Sequence, residues 1–100
     1  MNPGMIKKLQ KMQKDMVNAQ KNLEASIFYG TAGGKTVEVE FNGGKIMQKI
    51  TINRDALDSL DDLEMIEDTI VLAINDCMKN IDDETEQVMG QFTNSMPGMF

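Results

Sequence analysis

Residues 36–52 read TVEVEFNGGKIMQKITI, and this stretch decides the fold. Val37, Val39 and Phe41 alternate with Thr36, Glu38 and Glu40. That period of two puts apolar side chains on one face of a strand and polar ones on the other. Asn42, Gly43 and Gly44 then form a tight-turn signal, because Asn and Gly accept the positive φ that hairpin turns demand. Beyond the turn Ile46, Gln48, Ile50 and Ile52 share one face, with Lys45, Met47, Lys49 and Thr51 opposite. The stretch is a β-hairpin. Upstream, a glycine-containing turn over Thr31 to Lys35 is preceded by a short strand at Ile27 to Tyr29, which makes a three-stranded antiparallel sheet.

The segment before the sheet has a different period. Met5, Leu9, Met12, Met16, Ala19 and Leu23 recur at intervals of 4, 3, 4, 3 and 4. This is a heptad seam on a long helix, narrow enough for helix pairing, and Gly30 marks its end. With Leu9, Met16 and Leu23 at position a, Lys7, Lys14 and Lys21 all fall at position f, opposite the seam. The three lysines form one outward row at roughly 10 Å intervals, flanked by Lys8 and Lys11. Such a row suits a polyanion, but lysine is also the common filler of any solvated helix face.

After the sheet, Asn53 to Leu60 reads as a turn leading into a short helix. Asp61 or Asp62 then caps a long helix that begins near Leu63. Its seam runs through Leu63, Ile66, Ile70, Ala73 or Ile74, Cys77, Ile81, Thr85, Val88 and Phe92, and the helix is expected to end near Gly90. Asn94 to Phe100, with Pro97 and Gly98, reads as a tail. The order is helix, sheet, helix: an α+β fold in a single domain spanning 1–100, with 93–100 as a flexible tail.

One hundred residues bury a limited core, so oligomerisation would help this chain. Its net charge of −6 is unevenly laid out. Residues 1–30 hold five lysines against Asp15 and Glu24, a net +3, and residues 31–54 add Lys35, Lys45, Lys49 and Arg54 against Glu38 and Glu40, a net +2. Residues 55–100 carry twelve carboxylates against Lys79, a net −11. An acidic chain therefore has a basic first third. The start lacks a secretory signal pattern and no long apolar run occurs, so a cytoplasmic protein with no membrane partner is expected.

Several kinds of chemistry are disfavoured by the residues themselves. There is no histidine, which excludes imidazole dyads and triads and the usual Cys and His zinc site. Gly34, Lys35 and Thr36 resemble the end of a phosphate-binding loop, but Tyr29 stands where its first glycine belongs and a strand follows instead of a helix. The carboxylate clusters Asp61, Asp62, Glu64 and Asp82, Asp83, Glu84, Glu86 lack the alternation and central glycine of a calcium loop and read as solvated helix faces. Cys77 lies on the apolar seam and reads as a packed thiol. Ten methionines suit core and helix packing, or an adaptable partner groove. No catalytic, cofactor or metal residue is assigned, and neither a cofactor nor a small-molecule substrate is expected.

Several short motifs occur in a characteristic order: Thr31-Ala32-Gly33-Gly34, Val37-Glu38-Val39, Asn42-Gly43, Lys49-Ile50-Thr51-Ile52, the acidic run from Asp61 to Asp68, Ala73-Ile74-Asn75-Asp76, and a tail from Met96 to Met99. In that order and spacing the chain resembles the YbaB/EbfC family of small bacterial nucleoid-associated proteins over nearly its whole length. The resemblance implies a homodimer with projecting helices that binds duplex DNA, alters its conformation and acts in the nucleoid or in gene regulation. Carried onto this chain, the DNA-facing residues are Lys7, Lys8, Lys11, Lys14 and Lys21. The alternative reading is an acidic, methionine-rich module that engages DNA-processing or other cytosolic proteins. Asn75 and Asp76 point away from the seam, toward the sheet, a partner subunit or a ligand.

Overall fold

A computed structural model describes residues 2–57 and 62–95. Helix α1 (Pro3–Ala25) is followed by strands β1 (Ile27–Ala32), β2 (Val37–Asn42) and β3 (Met47–Ile52), a 3₁₀ turn at Arg54–Ala56, and helix α2 (Leu63–Ser95). The strands form one antiparallel sheet in the order β1-β2-β3. The molecule is elongated, about 70 × 20 × 15 Å, with a radius of gyration of 19.5 Å. A compact chain of this length would have a radius of about 13 Å.

Helix α1 starts where its chemistry directs. Asn2 is the N-cap, its Oδ1 accepting from the Met5 amide at 2.7 Å, and Pro3 begins the first turn, where a missing N–H costs nothing. The helix stops at Ala25, before Gly30: Ser26 turns extended, and its hydroxyl donates to the Asn22 carbonyl at 2.7 Å. Strand β1 then runs straight through Gly30 to Ala32, longer than the expected Ile27 to Tyr29. Gly30 is no breaker here. It is buried beneath α2, and a Cβ at this position would collide with the Ala73 carbonyl oxygen and lie 2.6 Å from the Cys77 amide nitrogen. The glycine lets strand and helix approach at backbone distance.

The two turns of the sheet differ from each other. Gly33 and Gly34 take positive φ of 66° and 63°, as a glycine turn should. In the β2–β3 hairpin, positive φ falls on Lys45 (64°) instead of Gly43 or Gly44. Asn42 stabilises that turn: its Oδ1 accepts from the Ile46 amide at 3.0 Å, and its carbonyl accepts from the Lys45 amide at 2.9 Å. Gly43 is required for space, because a side chain there would strike the Leu23 carbonyl oxygen at the end of α1. The register also slips at Glu40/Phe41, so Phe41 faces Met47, and the single face expected to be shared by Ile46, Gln48, Ile50 and Ile52 is broken.

Val37, Val39 and Phe41 form the buried face of β2 and pack against Ala73, Cys77 and Ile81 of α2. Phe28, Ala32, Ile52, Ile70, Ile74 and Met78 surround them. Burying each large apolar side chain contributes about 1.5–3 kcal/mol, which makes this two-layer contact the main source of stability. Helix α2 lies over β1 and β2 but does not cover β3. It continues through Gly90 to Ser95, because a glycine in an otherwise helical run weakens a helix without ending it. The expected cap at Asp61, much of the short helix expected before it, and tail residues 96–100 lie outside the described residues.

Candidate nucleic-acid interface

The heptad seam of α1 behaves as its spacing requires from Leu9 onward, whereas Met5 at its start is exposed. Leu9, Met12, Met16 and Ala19 are half-buried and Leu23 is buried, while Lys7, Lys8, Lys11, Lys14 and Lys21 are all exposed. The seam meets α2: Ala19, Asn22 and Leu23 line one cleft with Glu84 and Val88. The two long helices therefore pair within one chain and form an arm that extends from the sheet. Seven residues per repeat at 1.5 Å each spread Lys7, Lys14 and Lys21 over about 20 Å of the arm's outer face. Lys14 and Lys21 share a shallow surface groove with Gln10, Gln13, Val17 and Asn18, a strip without a carboxylate.

The lysines differ in what surrounds them. Lys11 is paired with Asp15 one turn on, at 3.0 Å. No ion pair within 4.0 Å occupies Lys7, Lys8, Lys14 or Lys21 among the described residues. Beside α1, helix α2 carries Asp82, Asp83, Glu84 and Glu86. Two of these carboxylates face local cations: Lys45 reaches Asp82 at 3.0 Å and Lys79 reaches Asp83 at 2.7 Å. Asp83 holds the Lys79 ammonium above its usual range through that hydrogen bond and its charge. These exposed pairs contribute little to stability, yet they blunt the acidic flank next to the basic row. Among the described residues no group of three acidic or cysteine side chains converges as metal ligands would.

Asp76 has a clear place. Its carboxylate accepts from the Thr31 backbone amide at 2.9 Å, and one turn later Asn80 donates from Nδ2 to the Tyr29 carbonyl at 2.8 Å. Both side chains tie α2 to the outer edge of β1. Asn80 carried no signal as a single residue in the sequence; the available clue was a polar pair four apart beside the Ala73–Cys77–Ile81 seam.

A family model for the YbaB/EbfC DNA-binding family matches residues 1–96. The chain belongs to the YbaB/EbfC family. A nucleoid-associated protein of Listeria monocytogenes is 46% identical over 98 residues, covering 96% of this chain and 92% of the relative. One from Ligilactobacillus salivarius is 39% identical over 96 residues, covering 96% and 91%. In fold, this YbaB/EbfC chain is similar to an uncharacterized protein, HP0035, of Helicobacter pylori. The TM-score is 0.71 at 22% identity, and the match covers 91% of this chain and 96% of the other. Family and relatives support a DNA-binding, nucleoid-associated protein, and among the described residues no helix is long and apolar enough to cross a membrane.

Proposed function

We propose that this chain binds duplex DNA in the nucleoid as a homodimer, mainly through phosphate contacts, altering DNA conformation and thereby gene expression. The observation that carries the reading is the exposed lysine row on α1, set opposite the seam that attaches the helix to α2. Lys7, Lys14 and Lys21 lie in line, with Lys8 and Lys11 beside them. A rigid arm holds these charges at a spacing that follows a phosphate backbone and reads no base edges. The net charge of −6 does not oppose this, because α1 alone carries +3, five lysines against Asp15 and Glu24. Repulsion from the acidic helix orients the duplex onto the outer face of α1.

A gel-shift titration with unrelated duplexes across salt concentrations tests the proposal. Equal shifts that weaken steeply with salt support phosphate binding. A single strongly preferred duplex, or no shift even at low salt, overturns it.

A further inference from the structure

Asn42-Gly43 is the one place in the chain where asparagine precedes glycine. That pair is chemically labile. In an open chain the glycine nitrogen, once it has given up its proton, attacks the asparagine side-chain carbonyl carbon. Ammonia leaves, and a five-membered succinimide joins side chain to main chain. Water then opens the ring at one carbonyl or the other, leaving aspartate or isoaspartate. Glycine favours the attack because no Cβ shields its nitrogen and its backbone turns freely.

The fold holds each reacting group off that path. The Gly43 amide donates to the Ser26 carbonyl at 3.0 Å, so its proton is retained and points at the end of α1. The Asn42 side chain is engaged across the turn, its Oδ1 accepting from the Ile46 amide at 3.0 Å. Its main chain is fixed as well, donating to the Ile46 carbonyl at 3.0 Å and accepting from the Lys45 amide at 2.9 Å. Ser26 is the decisive neighbour. In the succinimide a carbonyl carbon takes the place of the proton on the Gly43 nitrogen, in the direction of the Ser26 oxygen. An N–C bond of about 1.4 Å leaves that carbon far inside van der Waals contact with the oxygen. Ser26 cannot simply yield, because its amide bonds to the Asn22 and Leu23 carbonyls and its hydroxyl to the Asn22 carbonyl. The Leu23 carbonyl also lies against Gly43 itself.

We propose that Asn42-Gly43 is a latent covalent-modification site gated by the end of α1, reactive only while Ser26 is lifted off the β2–β3 turn. Water is the sole co-reactant, and the products are the modified chain and ammonia. Each opening exposes the pair briefly, so the slow reaction accumulates a record of how often the root of the arm detaches. The two products then behave differently. Aspartate at 42 keeps the length of the main chain and still offers an oxygen to the Ile46 amide, so the joint recloses. Isoaspartate inserts a methylene carbon into the main chain ahead of Gly43. That displaces the Gly43 amide from Ser26, and such a chain loses this attachment of α1 to the sheet.

The test holds the full-length chain at mildly alkaline pH with and without urea and follows Asn42 by peptide mapping that separates aspartate from isoaspartate. The native chain should convert at least about tenfold more slowly than the urea-unfolded chain. The Gly43 amide should show matching protection against hydrogen exchange, because one opening exposes both groups. Leu23→Ala removes a buried side chain at the end of α1. With its helical circular dichroism kept, it should convert several-fold faster than the native parent, at an unchanged rate in urea. A native rate less than about tenfold below the urea rate would overturn the proposal. So would an intact Asn42 beside a Gly43 amide that exchanges freely, since the turn alone would then give the protection; this comparison needs no variant. A refolded isoaspartate chain that still protects the Gly43 amide would overturn the blocked reclosure.

Discussion

The Asp76 carboxylate accepts a hydrogen bond from the Thr31 backbone amide at 2.9 Å, joining residues 45 positions apart in the chain. With Asn80 on the Tyr29 carbonyl, it replaces the strand that an outer edge would otherwise attract. Bonds to a charged acceptor contribute about 1.5–3 kcal/mol in favourable settings, and this one is partly solvated. Asp76→Ala is therefore expected to lower stability by about 1–2 kcal/mol, read as a drop in the urea midpoint at fixed protein concentration. It should also promote self-association beyond that of the parent chain, visible in light scattering. An unchanged midpoint and no new association would refute the edge-closing role.

Glycine substitutions should act in opposite directions along this chain. Gly30→Ala places a methyl against the backbone of α2 at Ala73 and Cys77, and Gly43→Ala places one against Leu23. Since backbone cannot give way as a side-chain end can, each should cost about 3 kcal/mol. A methyl group at Gly90, within α2, would meet nothing within 4 Å. Gly90→Ala should raise stability by about 0.5–1 kcal/mol. Thermal melts of the three variants check the ordering.

Burial pushes the Cys77 thiol above its usual 9.0, and the nearby Asp76 charge adds to the rise, while a backbone hydrogen bond involving Phe41 works the other way. Above that pH the unfolded chain has lost the proton that the folded chain keeps. The folded state then binds more protons, so stability falls as pH rises. Lys79, raised above 10.5 by Asp83, acts in the same direction: its contribution is complete below 10.5 and is lost as pH climbs through the higher folded value. Urea midpoints should decline as pH rises above 9.0. The decline should be shallower in Cys77→Ala; an equal slope in that variant would remove the thiol as its source.

Replacing Lys7, Lys14 and Lys21 together by alanine should leave the fold intact, since all three are exposed. If each holds one phosphate, a homodimer loses six contacts. The slope of log K against log salt then flattens by about 5, at roughly 0.9 per phosphate. Lys79→Ala, whose ammonium already sits on Asp83, should change affinity little. Fluorescence anisotropy at several salt concentrations measures both, and an undiminished slope in the triple variant would dismiss the α1 face.

Where local pattern fixes structure, the sequence was a reliable guide. The alternation of Val37, Val39 and Phe41 became the core face of β2, and the 4-3 spacing from Leu9 to Leu23 became a helix seam with the lysines outside it. The readings that missed concern glycine. Gly30 and Gly90 looked like helix ends, yet Gly30 admits neighbouring backbone inside a strand and Gly90 lies inside a continuing helix, while Gly43 sits in the expected turn but is needed for its missing Cβ, the positive φ falling on Lys45. Chain-local propensity cannot distinguish a glycine needed for its φ from one needed for its missing Cβ.

The sequence by itself determined the element types, the antiparallel hairpin and the basic outer row of α1, because periods of two and 3.5 are properties of consecutive residues. Tertiary structure decided that α1 pairs with α2 of its own chain, that Asp76 and Asn80 close one sheet edge, and that β3 meets no strand on its other side among the described residues. Those outcomes depend on where α2 crosses the sheet. That crossing is set by packing of Gly30, Ala73 and Cys77, which lie far apart in the chain and come together only when the two layers meet.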